Sequence, residues 1–212
     1  HSQRLIFCNS TYRQNNFSKM NPNELNDEFW SKRYKDNQTG WDIGYCSTPL
    51  KTYFENLADR NITVLIPGAG YGHEAIFLHE LGFQHVTVID LAAEPLEEIQ
   101  RRCPTFPKNQ LLQGDFFEHH GQYDLIIEQT FFCAIDPDLR KKYVEKMRSL
   151  LKPEGKLIGV LFNREFEGGP PFGGNMEDYK SLFSEFFEEV SIEPCYNSIP
   201  ERLGSEAFIQ IS

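Results

Sequence analysis

The residues with the clearest capacity for chemistry lie in Val64-Leu65-Ile66-Pro67-Gly68-Ala69-Gly70-Tyr71-Gly72, where an apolar run gives way to alternating glycines and then to a helical pattern. Residues without a Cβ let the chain turn tightly and bring backbone N–H groups close to a ligand beside a helix N-terminus. The same turn could serve only to pack helix on strand. It gains meaning from Asp90, 20 residues after Gly70 at the end of the next apolar run, where a carboxylate can hold ribose hydroxyls. A dinucleotide fingerprint G-x-G-x-x-G needs glycine at position 73, and that residue is His73.

The third glycine therefore arrives one residue early. G-x-G-x-G followed by an acidic strand end is the form associated with S-adenosylmethionine, which carries a ribose but no pyrophosphate. A second carboxylate beside aromatic rings occurs at Gly114-Asp115-Phe116-Phe117, where an adenine could stack; Asp115 capping the next turn, with the rings in the core, is the equal alternative. Other candidates carry less. His73 and His79 are six residues apart, on nearly opposite faces of a helix, whereas a zinc pair needs i, i+4 spacing, so no metal site is expected. His119-His120 reads as a solvated turn, Arg140-Lys141-Lys142 as a solvent face, and Cys133 as a buried small hydrophobe.

These residues need a frame. Apolar runs at 62–66, 86–89, 111–113, 123–127 and 156–162 predict strands, and helical patterns separate most of them. Ser47-Thr48-Pro49 offers an N-cap with Pro at the first helical position for a helix to about Ala58. Further helices are predicted over His73–Leu81, around Leu96–Cys103, from Leu139 to a stop before Pro153, and along Tyr179-Leu182-Phe183-Phe186. Runs at 189–192 and 206–211 follow one another with no helix between them and predict an antiparallel pair. The fold class is α/β: a single Rossmann-like, doubly wound sheet of about seven strands, mostly parallel, with an antiparallel C-terminal hairpin. The irregular segment 163–174 is long enough to serve as a lid.

At 212 residues the chain fits one domain, expected over 20–212, with residues 1–19 read as a flexible leader. Its net charge of −10 opposes a nucleic-acid partner, and no apolar run approaches the roughly 20 residues of a membrane span. Five cysteines with no C-x-x-C spacing fit free thiols in a reducing, cytoplasmic setting. A monomer acting on a small molecule is expected.

The motifs together resemble class I S-adenosylmethionine-dependent methyltransferases of the thiopurine S-methyltransferase family, and within it the halide and thiol methyltransferases. The likeness rests on WSKRYKDNQTGWDIG (30–44), IPGAGYGH (66–73), Ile89-Asp90, Gly114-Asp115, FFCAIDP (131–137), LKPEG (151–155) and Gly169-Pro170-Pro171. It implies S-adenosylmethionine as cofactor and a covering segment over 29–58 in which Trp30, Tyr34 and Trp41 roof the cofactor. Tyr34 stands where plant-like members have another Trp. Gly68 and Gly70 match the glycine loop, Asp90 the ribose contact, Asp115 with Phe116 the adenine contact, and Glu128 a contact after the fourth strand, where Asp is usual. Read without those motifs, Trp30 and Trp41 are ordinary core anchors.

The acceptor is expected to be a small thiol, sulfide, thiocyanate or halide. Several of these are anionic at neutral pH and need no base, and no acid–base pair stands out in the sequence. An aromatic chamber of Tyr45, Phe131, Phe162 and Phe172 is expected to keep water from the methyl group. Arg164 and Arg202 are candidate anion anchors, although a surface location is the ordinary reading of both. A nicotinamide oxidoreductase and a non-catalytic S-adenosylmethionine-binding regulator are the alternatives.

Overall fold

The computed structural model describes residues 25–212, so the expected leader at 1–19 lies outside the described residues. The described chain opens with helix α1 (Asp27–Lys35), capped by Asn26, whose side chain accepts the Phe29 N–H. Asp27 and Glu28 in its first turn and Lys32, Arg33 and Lys35 in its last complement the helix dipole. No residue of α1 is fully buried. It lies over the protein as a cover, tied to the body by Ser31 Oγ donating to Glu94 (2.7 Å) and by a Lys35–Glu94 ion pair (3.0 Å).

Among the described residues, seven strands form one sheet: β1 (Thr63–Pro67), β2 (His85–Asp90), β3 (Leu111–Gln113), β4 (Tyr123–Gln129), β5 (Leu151–Phe162), β6 (Val190–Pro194) and β7 (Glu206–Ile211). Their order is β3-β2-β1-β4-β5-β7-β6, with the first five parallel and β7 antiparallel to both neighbours. The hairpin expected at the end is thus inserted: β7 pairs with β5, and β6 takes the edge.

Helices α2 (Thr48–Glu55), α3 (His73–Glu80) and α4 (Ala93–Arg102) cover one face; α5 (Arg140–Leu150) and α6 (Met176–Phe183) cover the other. Alternation within each strand supplies both cores. Val64, Ile66, Leu125, Ile127, Ile158 and Val160 pack under Leu50, Phe54, Leu78 and Ile99. Leu65, Ile126, Leu157 and Leu161 pack under Tyr143, Met147 and Phe183. Strands buried on both faces must read as continuous apolar runs, which is why the parallel strands were visible in the sequence.

Several boundaries differ from expectation. β5 begins at Leu151, before Pro153, because Leu151 already pairs with Tyr123; a register shift between Tyr123 and Leu125 then absorbs the irregular segment. Phe186 lies beyond α6, which ends at Phe183. Ser47 does not cap α2 with its side chain: its hydroxyl donates to Gln129 (3.0 Å), and its N–H goes to Glu74 (3.0 Å).

Strand order reverses between β1 and β4. In a doubly wound sheet the carboxyl ends of such strands leave a crevice, because their connections depart to opposite faces. Here the glycine turn leaves β1 and Thr130-Phe131 leaves β4 at that point.

Candidate functional site

The crevice holds a cavity of about 1040 Å³, walled by α1 and the segment behind it, the turns after β1 to β4, and the segments around Phe162–Pro171 and Glu201–Ser205. Gly68, Gly70 and Gly72 all adopt positive φ (69°, 53° and 71°). At Gly68 a Cβ would stand 2.5 Å from Phe131 Cδ2, so only glycine lets the β4 exit turn close over the β1 exit turn. At Gly72 a Cβ would meet Ile99 of α4 at 2.1 Å. The sequence therefore needs glycine for two different reasons: cavity shape at 68 and helix packing at 72.

Asp90 ends β2 on the cavity wall. Its Oδ2 accepts the Ala69 N–H (2.8 Å) and its Oδ1 the Ala92 N–H (2.9 Å), which ties the glycine turn to the neighbouring strand end. Burial pushes its carboxyl up to about 6, against the pull of those two amides and with a further rise from Glu94. Each oxygen keeps a lone pair for a ligand hydroxyl. Asp115 caps the following turn through Phe117 N–H (2.8 Å) and also lines the cavity, while Phe116 is buried beside it.

The roof is aromatic. Trp30 and Trp41 meet edge to face at 5.8 Å, and Tyr34 packs edge-on against Trp41 (5.5 Å) and Tyr71 (5.6 Å). Burial, then the charge of Asp90, keeps the Tyr34 phenol far above its ordinary range, so it stays a neutral hydroxyl. Arg202 fastens this roof to the sheet. Its Nη2 donates to the Trp41 carbonyl (2.9 Å), its Nη1 pairs with buried Glu206 (3.4 Å), and its guanidinium lies 5.3 Å from the Phe162 ring centre.

Three sequence assignments change. Glu128 is fully buried off the cavity wall, and both its oxygens are taken by protein donors, so its side chain does not reach a bound molecule. Tyr45 is 50% exposed and outside the cavity, because the chain has already turned from the roof towards α2. Phe172 is also outside it: its N–H is bonded to the Cys133 carbonyl (2.7 Å), and its ring rests on Gly169. Phe166 occupies the wall instead, edge-on to Phe162 (5.0 Å) and under the Arg164 guanidinium (4.7 Å).

The remaining candidates, Gly68, Gly70, Phe131, Phe162, Arg164 and Arg202, all line the cavity, as do Trp30, Tyr34, Trp41, Asp90, Asp115 and Phe116. Sequence reasoning missed Arg33, Thr130, Asp136 and Phe166. Arg33 follows Trp30 by one helical turn, which the spacing could have shown; Thr130 is marked only by its positive φ of 56°, which no sequence pattern announces. No group of three or more His, Cys, Asp or Glu side chains among the described residues could hold a metal ion.

Residues 25–205 match the family model for thiopurine S-methyltransferase. The chain belongs to the thiopurine S-methyltransferase family. Relatives include "Probable thiol methyltransferase 2" of Arabidopsis thaliana, 32% identical over 84% of this chain and 81% of that protein. Thiocyanate methyltransferase 1 of Brassica oleracea is 30% identical over 89% and 86%. Among solved structures, the Burkholderia thailandensis 1,6-didemethyltoxoflavin-N1-methyltransferase, crystallised with its substrate and S-adenosylhomocysteine, has a TM-score of 0.69 at 18% identity, covering 91% of this chain and 89% of that one. Membership makes the protein an S-adenosylmethionine-dependent methyltransferase of Rossmann-like fold. The nicotinamide alternative finds no support among the relatives.

The cavity fits that cofactor on its own terms. It offers a glycine turn without side chains at Gly68 and Gly70, a buried carboxylate with free lone pairs, and an aromatic roof suited to a cation.

Proposed function

We propose that the protein methylates a small thiol or a small soft anion such as hydrosulfide, thiocyanate or a halide. The observation that carries this reading is the cavity's mixed lining: an aromatic roof and Asp90 share one cavity with Phe131, Phe162, Phe166, Arg164 and Arg202. Asp90 would take the ribose hydroxyls, Asp115 with Phe116 the adenine, and Trp30, Tyr34 and Trp41 would cover the sulfonium. Bound there, S-adenosylmethionine supplies an electrophilic methyl group on a positive sulfur. Each well-placed ring face stabilises such a cation by about 0.5–2 kcal/mol.

The chain's contribution to the reaction is alignment and exclusion of water. Displacement at a methyl carbon needs nucleophile, carbon and leaving sulfur in line, and fixed orientation can supply several of the roughly 7–11 kcal/mol that effective molarities allow. Within a chain of net charge −10, Arg164 puts local positive charge on the cavity wall for an anionic acceptor, while Arg202 there is paired with Glu206. Such an acceptor needs no general base. Cys133 on the same wall does not compete as a nucleophile: burial and the Glu128 charge push its thiol up to about 12, so it stays protonated.

Headspace gas analysis tests the reading. Purified protein with S-adenosylmethionine should release methanethiol from sulfide, methyl thiocyanate from thiocyanate or methyl iodide from iodide. Cofactor binding with no product from any of these or from an organic thiol would favour the regulator instead. The reading extends to a monomeric, cytoplasmic protein with one catalytic domain over 20–212. It is supported by four buried cysteines, Cys46, Cys103, Cys133 and Cys195, with free thiols, and by the absence among the described residues of a helix long and apolar enough to cross a membrane. Light scattering of the purified chain checks the monomer.

A further inference from the structure

We propose that Glu128 is a positioning residue for methyl transfer: it locks the turn leaving β4 so that the Phe131 ring stays wedged against the glycine turn as part of the cavity wall. Both oxygens of its carboxylate accept hydrogen bonds. Oε1 accepts the N–H groups of Phe131 (2.8 Å) and Phe132 (2.9 Å), and Oε2 accepts the Tyr143 hydroxyl (2.5 Å).

The surroundings are shaped around this residue. Its register partner on β5 is Gly159, where a Cβ would stand 2.4 Å from both the Glu128 Cβ and the Glu128 carbonyl oxygen. A bare glycine in the middle of a strand weakens that strand, and here it lets β5 approach the backbone and Cβ of position 128 closely. Burial pushes the Glu128 carboxyl up to about 7, so an acid is held in this core position against the cost of burying it. The acid therefore has a use that core packing does not explain.

That use is visible in the turn. Thr130 holds φ at +56°, a costly conformation for a β-branched residue, which persists only where neighbours over-determine it. Glu128 fixes the two amides that follow, and the Cys133 thiol donates to the Thr130 carbonyl (3.3 Å). The consequence is the place of Phe131. Its ring fills the space left by the missing Cβ of Gly68, meets Phe116 edge-on at 5.2 Å, and forms cavity wall. One ring thus touches both the glycine turn and Phe116 while forming part of the cavity wall. A misplacement of about 1 Å in such a wall can cost about 100-fold in rate.

The assay rests on the acceptor reading above, and it is arranged to fail separately from it. Turnover at saturating cofactor and acceptor is measured for Glu128→Gln, Glu128→Met, Phe131→Ala and the double variant Glu128→Met/Phe131→Ala. Gln keeps an oxygen for both amides and should retain turnover within about fivefold; Met removes the acceptors and should lose on the order of 100-fold. In the Phe131→Ala background the Met change should cost less than about threefold, because its effect passes through that ring. Near-wild-type turnover of Glu128→Met, or the same fold-loss in both backgrounds, overturns the proposal. If Glu128→Met does not fold, Tyr143→Phe frees Oε2 without a void: a loss of about fivefold that vanishes in Phe131→Ala supports it, and equal losses overturn it. Amide exchange at Phe131 and Phe132 needs no acceptor. It should accelerate at least about tenfold in Glu128→Met or, failing that variant, in Glu128→Ala, and stay unchanged in Glu128→Gln. Unchanged exchange in the variant used overturns the proposal even if no acceptor is found, whereas a wild type inactive on every acceptor counts against the functional reading alone.

Discussion

Cofactor affinity should depend on pH through Asp90, and the structure sets the size of the effect. With its carboxyl pushed up to about 6 by burial, Asp90 is mostly ionised at pH 7 and mostly protonated at pH 5. Each of its oxygens already accepts one backbone amide, so ligand hydroxyls must use the remaining lone pairs, and protonation removes one of them. If the ribose requires the ionised form, affinity falls by a factor of about 1 + 10^(6−pH), roughly twofold at pH 6 and roughly 11-fold at pH 5, or about 1.4 kcal/mol. The sign for the unliganded fold is the reverse. A carboxyl raised above its unfolded value stabilises most below the unfolded pKa, near 4, and loses that contribution as pH rises through about 6. The rise in Tm on adding S-adenosylhomocysteine should therefore grow from pH 5 to pH 7. Titration calorimetry at half-unit steps over that range measures the effect directly, with Asp90→Asn as control: it should bind more weakly and show a flat profile. A flat profile in the wild type, or a slope that persists in Asp90→Asn, would refute the assignment of Asp90 to the ribose.

Trp41→Leu should weaken S-adenosylmethionine binding by about 3- to 30-fold and S-adenosylhomocysteine binding by less, because only the first carries a sulfonium for the ring to stabilise. Calorimetry with both ligands checks this, and equal losses count against a cation-stabilising roof. Gly72→Ala should destabilise the fold by about 2–4 kcal/mol, since the new Cβ meets Ile99 at 2.1 Å in a left-handed backbone conformation. Urea denaturation reads the loss; a change below about 0.5 kcal/mol would contradict the packing described. Glu128, raised from 4.5 to about 7 by burial, contributes stability that is fully present below about 4.5 and lost as pH rises through about 7. Between pH 5 and pH 8 the wild type should lose about 2–3 kcal/mol relative to Glu128→Gln, and parallel urea curves at the two pH values would show otherwise.

What the sequence made legible follows from where backbone constraint coincides with residue type. The parallel strands could be read because burial on both faces forces uninterrupted apolar runs, as in Val64–Ile66 and Leu125–Ile127. The glycine turn and Asp90 could be read because positive φ and a carboxylate at a strand end each demand particular residues. The insertion of β7 beside β5 could not, since the pattern of β6 and β7 specifies that they pair but not which of them meets the parallel sheet. The long segment after Phe162 hid its wall residue for a similar reason. Phe166 and Phe172 have the same chemistry, and only the Arg164–Gly174 bridge and the bond from Phe172 N–H to the Cys133 carbonyl decide which ring faces the cavity.

Glu128 shows the limit most sharply. A carboxylate separated from Asp90 by β1, at the same end of the sheet, is implied by the family resemblance to be a second ligand contact. The structure instead turns it inward, where three donors meet it. Two acids at equivalent strand ends thus divide the work. Asp90 braces the β1 turn and faces the cavity with lone pairs free for a ligand, while Glu128 braces the β4 turn from the buried side, off the cavity wall. The crevice between those turns is where donor and acceptor must be brought into line, so its geometry depends on both braces, although only Asp90 lies on the cavity wall.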